Sequence, residues 1–296
     1  MATKRKAAKK SKAARTSKSA REVRGSLAVS IATNKQKTAP KRIAALAQAP
    51  LAVCDSDDNL QSVLGVLQDV NEPMEVRLAA LQSLQAASFS VVAFGSCRGD
   101  YLSTLRRVAQ DRNPELRQRA LGLLARQKDG FAQKKLLEGL QSPAKALVPP
   151  EKALQLLSYD VHAGAYAAAR TIANNPPNPT AKREALRLLA TDATAVPMFE
   201  KILLDKNELR ENRQLSASAL HALDPEKMQK LARDIVLDSK DYDDIKATSL
   251  TALSQFGDNS TLVTDQSLLQ SVDRLKTEGS ATLQESARQF LSKYSG

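Results

Sequence analysis

VRLAALQSL at 76–84 and LRQRALGLL at 116–124 decide the reading of this chain, because they set the same residue types in the same places 40 residues apart. Val76, Ala80, Leu81 and Leu84 answer to Leu116, Ala120, Leu121 and Leu124. The spacing i, i+4, i+5, i+8 is one stripe of a 3.6-residue helix. An Ala in the second place lets two helix backbones approach closely. Weaker copies follow at a period of roughly 35 residues, the mark of a repeat array. They are Ala153, Leu154 and Leu157; Lys182, Ala185, Leu186 and Leu189; Leu215, Ala219, Leu220 and Leu223; Ile245, Lys246, Ser249, Leu250 and Leu253; and a degenerate Leu283, Ala287 and Leu291.

Between the copies stand breakers such as Asn71–Pro73, Asn113–Pro114, Pro149–Pro150, Asn174–Pro179 and Asp224–Pro225, which predict turns and first helical positions. The predicted unit is a helical hairpin. Two amphipathic helices cannot bury both faces alone, so consecutive hairpins must stack, with terminal units more polar than the middle ones. Composition agrees: aromatic residues are 4% and Trp is absent, so burial comes from many small Leu and Ala side chains. The expected fold is all-α, an alpha-solenoid of about six or seven hairpins.

DRNPELRQRALGLLA (111–125) resembles the second-helix region of a HEAT repeat, and NEPMEVRLAALQSL (71–84) is similar. The resemblance covers about residues 70 to 296. It implies an armadillo-like solenoid in which a turn Asp or Asn and a helix Arg, six positions apart, form a ladder between successive units. Asp111 with Arg117 and Asn71 with Arg77 match that spacing. Later copies depart from it, with Lys182 and Lys246 at the Arg position and Ser216 in its place in a third.

Charge divides the chain differently. Residues 1–42 hold 14 Lys or Arg and one acid, Glu22, whereas residues 43–296 hold 30 bases and 31 acids, so the net +12 belongs to the N-terminus. The expected domains are a disordered basic tail over 1–42 and a helical repeat domain over 43–296, with IAALAQAPLAVC after Arg42 as a partial capping helix. The tail interleaves Lys4, Arg5, Lys6, Lys9, Lys10, Lys12, Arg15, Lys18, Arg21 and Arg24 with Ala and Ser rather than aromatics. It suits phosphates as point charges, without stacking on bases. Its composition is similar to histone-like tails, and KRKAAKK (4–10) resembles a nuclear import signal. A second basic group, Arg106, Arg107, Arg112, Arg119 and Arg126, surrounds Arg117 as a possible phosphate strip.

The residues needed for catalysis are scarce. His162 and His221 are the only histidines, and CxxC, HExxH and GxSxG are absent. His162, near Asp160 in an Ala-rich segment, is expected to cap or pack. Two enzymatic relatives of HEAT folds fit poorly. The deoxyhypusine hydroxylases bind iron through His-Glu pairs, and the helical-repeat alkylpurine DNA glycosylases rely on Trp in a basic cleft. Cys54 and Cys97 are too few for a disulfide framework and are expected to be small core thiols in a reducing compartment. No apolar stretch approaches the roughly 20 residues of a membrane span, and no signal-like apolar segment follows the N-terminal charge.

The sequence therefore predicts a non-catalytic scaffold or adaptor without cofactors. Its concave face would bind a protein partner, its tail nucleic acid or another polyanion, and no membrane. The rival is a nucleic-acid-binding solenoid that uses the Arg-rich face. The expected location is cytoplasmic, with nucleoid association, or nuclear in a eukaryotic source.

Overall fold

The computed structural model describes Val23 and residues 25–294, apart from the side chain of Asn259, and among these residues the regular structure is helical with no strand. The helices are α1 (residues 25–33), α2 (Ala39–Gln48), α3 (Asp57–Gln68), α4 (Met74–Ser88), α5 (Arg98–Val108), α6 (Pro114–Arg126), α7 (Gly130–Gln141), α8 (Pro150–Leu157), α9 (Ala163–Asn174), α10 (Pro179–Leu189), α11 (Val196–Leu204), α12 (Arg210–Leu223), α13 (Pro225–Leu237), α14 (Asp243–Phe256), α15 (Asn259–Leu262), α16 (Gln266–Glu278) and α17 (Ala281–Tyr294). The chain forms two compact units that divide after Lys135, inside α7.

The breakers act as local chemistry requires. Asn113, Asn178 and Asp224 each stand before a Pro at the first helical position and accept a hydrogen bond from a first-turn backbone N–H. Ser56 and Asp265 cap α3 and α16 in the same way. At the end of α6, Lys128 takes a left-handed φ of 54°, and the Asp129 N–H reaches back to the Leu124 carbonyl at 3.1 Å. That bond closes the turn as a Schellman motif.

In the N-terminal unit, α2 packs on α4, α3 on α4 and α5, and α5 on α6. In the C-terminal unit, α9/α10, α11/α12, α13/α14 and α16/α17 pair, while α8, α10, α12, α14 and α17 each contact the next of their series. The repeated stripe is the contact surface: Val76, Ala80, Leu84, Leu116, Ala120, Leu121, Leu124, Ala185, Leu186, Leu189 and Leu250 are all fully buried. Ser216 and Ser249 occupy the small-residue place without leaving a polar group unpaired. Their hydroxyls donate to the Asn212 and Ile245 carbonyls at 2.8 and 2.9 Å.

Two expected stripes need correction. In α12 the buried residues are Asn212, Arg213, Ser216, Ala217, Ala219 and Leu220; Ala219 and Leu220 are inside as expected, whereas Leu215 and Leu223 are half-buried, so the stripe starts three residues earlier, at Asn212. In α17, Leu291 is likewise half-buried, and Phe290 and Tyr294 close the core instead. The Tyr294 hydroxyl donates to the Leu253 carbonyl at 3.1 Å.

With that register, one interaction recurs. The Arg42, Arg77 and Arg213 Nε atoms donate to the carbonyls of Ala32, Leu67 and Leu203, each ten residues upstream, at 2.7, 3.0 and 2.8 Å. These carbonyls lie at the C-terminal ends of α1, α3 and α11, where a helix leaves acceptors unpaired and favours a cation. The same guanidinium then reaches an acid in the turn before the next second helix. Arg42 pairs with Glu72 at 2.5 Å, Arg213 with Asp241 at 2.7 Å, and Arg77 with Asp111. Lys182 pairs with Glu208 at the equivalent place. Each of the three Arg thus ties its own hairpin together and fastens it to the next, and Lys182 makes the second of these contacts.

The rungs differ from the sequence expectation in three ways. Asn71 takes no part, since Glu72 is the acid and the Asn71 N–H donates to Asp69 Oδ1 at 2.9 Å. Arg117 meets Asp111 through the backbone carbonyl at 2.9 Å, while the Asp111 carboxylate goes to Arg77 of the preceding hairpin. In the fourth pair the cation is Arg213; Ser216 is simply the small residue one turn later.

Arg42 also moves the domain boundary. The expected tail ends inside α2, and Arg42 is only 3% exposed. Ala28, Val29 and Ala32 of α1 are buried as well, so residues 25–42 belong to the folded body. The three lysines around α1 and α2 gave this segment a tail-like charge, although SLAVSIA carries an inward apolar face.

The cysteines differ too. Cys54 and Cys97 form a disulfide with Cα atoms 6.3 Å apart, within the usual span of such bridges. They precede α3 and α5, equivalent places in consecutive hairpins, and the packing of α3 on α5 brings those ends together. The pairing removes the free-thiol argument for a reducing compartment.

Replacing Arg213 by Ala leaves Asp241 buried without its cation and is expected to cost about 3 kcal/mol of unfolding free energy. The joint replacement Arg213→Met with Asp241→Leu is expected to recover most of that loss, and urea unfolding of the three chains measures both steps.

Acid titration gives a second test. Burial pushes the Asp111 and Glu208 carboxyls up, but their hydrogen bonds to Arg77 and Lys182 and to nearby amides outweigh it and leave both below the ordinary range. Arg233 beside Asp265 holds that carboxyl at about 2. Lowered folded values mean that these groups stabilise the fold above the unfolded carboxylate range and lose that contribution as pH falls through their folded values. Stability followed by circular dichroism should therefore fall from about pH 4 toward pH 2. Added Arg213→Ala should leave that descent in place, because Asp111, Glu208 and Asp265 keep their partners.

Candidate functional site

The second helices of three successive hairpins in the C-terminal unit enclose a groove of about 430 Å³. Arg210, Gln214 and His221 of α12 form one side, Asp244, Ala247, Thr248 and Thr251 of α14 the floor, and Thr282 and Ser286 of α17, with Ser280 before it, the other side. Small side chains on α14 and α17 give the groove its depth, and longer ones on α12 give it a wall.

Its charges are already matched. Arg210 Nε lies 3.1 and 3.2 Å from the two Asp244 oxygens, and its guanidinium sits 4.8 Å from the centre of the Tyr242 ring. Across the groove, Asp243 Oδ2 accepts from the Ser280 N–H at 2.7 Å. The hydroxyl protons of Thr248 and Thr251 are directed into their own helix, toward the Asp244 and Ala247 carbonyls at 3.0 and 2.9 Å. Each threonine oxygen therefore offers acceptor lone pairs alone. His221 Nε2 is 3.0 Å from Gln255 Oε1, and its ring meets Phe256 edge to face at 5.2 Å. The groove is thus short of net charge, with the two threonine acceptors on its floor and the Gln214 amide and Thr282 and Ser286 hydroxyls on its sides.

The residues expected from sequence fare unevenly. Lys4, Arg5, Lys6, Lys9, Lys10, Lys12, Arg15, Lys18, Arg21 and Arg24 lie outside the described residues. In the second basic group, Arg106 pairs with the nearly buried Asp129 at 2.7 Å, and Arg119 pairs with Glu115 one turn earlier at 2.8 Å. Arg107 donates to Gln68 Oε1 at 2.9 Å, while Arg112 and Arg126 are exposed, in the α5–α6 turn and at the end of α6. Arg106 and Arg119 are therefore already answered by acids. His162 caps α9, its Nδ1 accepting from the Ala165 N–H at 3.2 Å. Among the described residues no three His, Cys, Asp or Glu side chains form a group able to hold a metal, and no helix is long and apolar enough to cross a membrane.

The groove itself was not legible in the sequence. Its residues read in the sequence as ordinary polar or small positions, and what marks them is that Arg210, Asp244 and Ser280 recur at the start of successive second helices.

No protein-family model matches the chain, and no curated protein is similar to it. Among solved structures it is similar to a crystal structure of an engineered protein, at 14% identity and a TM-score of 0.43, over 92% of this chain and 89% of that one.

Proposed function

We propose that the chain is a non-catalytic HEAT-like scaffold. In this reading the hairpins form a solenoid, the α12–α14–α17 groove holds an extended segment of a protein partner, and the basic N-terminal tail adds affinity for nucleic acid or another polyanion. The recurring cation is the observation that carries the reading. An Arg that caps the first helix of its own hairpin and pairs with the turn acid of the next is the ladder expected of HEAT repeats, and it occurs in both units. Such an array exposes a row of second helices whose surface residues are free of packing duty.

The groove chemistry favours a peptide over a polyanion. Threonine oxygens with their protons already committed accept hydrogen bonds from backbone N–H groups, and a phosphate has no donor to offer them. The tail suits phosphates instead, through counterion release. The two contacts together raise apparent affinity by effective concentration.

Selection of a random peptide library of roughly 10 residues, about 33 Å when extended, on the full chain should enrich sequences of low net charge. Their binding should disappear with Thr251→Tyr, which fills the groove from its half-buried floor, with circular dichroism confirming that the variant remains folded; enrichment unaffected by that change sinks the assignment of the groove.

The tail is tested separately by anisotropy of labelled duplex DNA across a salt series. Affinity should fall steeply with salt and be lost on removal of residues 2–22. Binding that survives the removal and falls on charge reversal of Arg107 and Arg112 assigns the contact to the repeats instead.

A further inference from the structure

The first hairpin carries a second, different surface. Along α1, Ala28, Val29 and Ala32 turn inward, while Leu27 is 58% exposed and shares the outer face with Ile31 one turn on. Leu27 and Ile31 border a groove of about 490 Å³ against α2, whose side contributes Ala44, and whose rim holds Lys37 and Lys41.

Two observations say what fits it. The first is charge. Residues 25–54 contain four bases and no acid. Lys35 and Arg42 are taken by Asp69 and Glu72, whereas Lys37 and Lys41 have no carboxylate partner among the described residues. The second is shape. The apolar surface is concave and set at one-turn spacing, which suits the ridge of side chains on an amphipathic helix. A second copy of this hairpin is a poor occupant, since pairing like with like brings Lys37 and Lys41 against the same two lysines.

We infer that the α1–α2 groove docks an acidic amphipathic helix of a partner protein, with apolar residues on Leu27 and Ile31 and carboxylates on Lys37 and Lys41. The inference rests on the N-terminal unit alone and does not depend on the groove of the C-terminal unit.

The probe is a fluorescein-labelled peptide of about 16 residues, roughly four helical turns, with Leu at positions i, i+4, i+7 and i+11 and Glu at most others. A scrambled peptide of the same composition controls for attraction to the basic tail, which both share. The full chain should bind the patterned peptide at least about tenfold more tightly than the scrambled one, and Leu27→Glu should remove that difference. The double change Lys37→Glu with Lys41→Glu should weaken the Glu peptide and favour its Lys counterpart, with circular dichroism confirming that both variants remain folded. Equal binding of patterned and scrambled peptides overturns the proposal, as does a preference untouched by Leu27→Glu. It is also overturned if Leu27→Glu abolishes binding to phosphatidylserine vesicles, or dissociates a dimer of the chain in sedimentation, while leaving the peptide preference intact.

Discussion

A guanidinium removed from water is costly unless every one of its demands is met, and this chain meets them by joining helices. Arg77 and Arg213 are almost wholly buried, each with Nε on the last turn of one helix and a terminal nitrogen on the acid that opens another. The acids are held in turn by backbone amides, Asp111 by Asn113 and Asp241 by Tyr242. Apolar stripes supply burial but would tolerate sliding by a helical turn. A buried ion pair does not, because sliding strands both charges. The rungs therefore fix the register that the small Leu and Ala side chains only permit. Arg42 is the least complete of them, with Nη2 enclosed and unpaired.

The uneven charge of the chain follows from the same arrangement. Every rung consumes one base and one acid, which keeps the repeats near neutrality, and surface pairs such as Arg106–Asp129, Arg210–Asp244 and Arg233–Asp265 extend that balance outward. What remains unmatched is concentrated at the start of the chain, where residues 1–24 hold ten bases and one acid. Lys37, in the α1–α2 turn, and Lys41, on α2, lie where these two regimes meet, in the folded body but without a carboxylate partner among the described residues.

How much of this was legible in the sequence depends on how sharply each residue type is constrained. The hairpin period and the stripe at Ala80–Leu84 and Ala120–Leu124 were legible, since only small and apolar residues fit there. Arg77 and Arg117 were legible as rung candidates because each stands six residues after a turn Asn or Asp. The α12 register was not, because Ser216, Ala217, Ser218 and Ala219 fit a small-residue place almost equally well, and spacing alone cannot choose among them. Glu72 was missed because its offset from Arg77 is five residues, where Asp111 and Arg117 differ by six. Residues 25–42 were hidden by their lysines, which lie exposed in the α1–α2 turn and on α2 and say nothing about the inside. The groove on α12, α14 and α17 exists only once three separate hairpins are assembled.

The bridge between Cys54 and Cys97 carries a consequence for how such a chain can change length. Every rung joins a cation and an acid at equivalent places, so a hairpin gained or lost between rungs finds compatible neighbours on both sides. The disulfide lacks that indifference. It joins the ends of α3 and α5, and a hairpin inserted between them would carry the two sulfurs out of reach of each other. Elsewhere the array is free to grow by duplication; between these two helices its repeat number is fixed by a covalent bond.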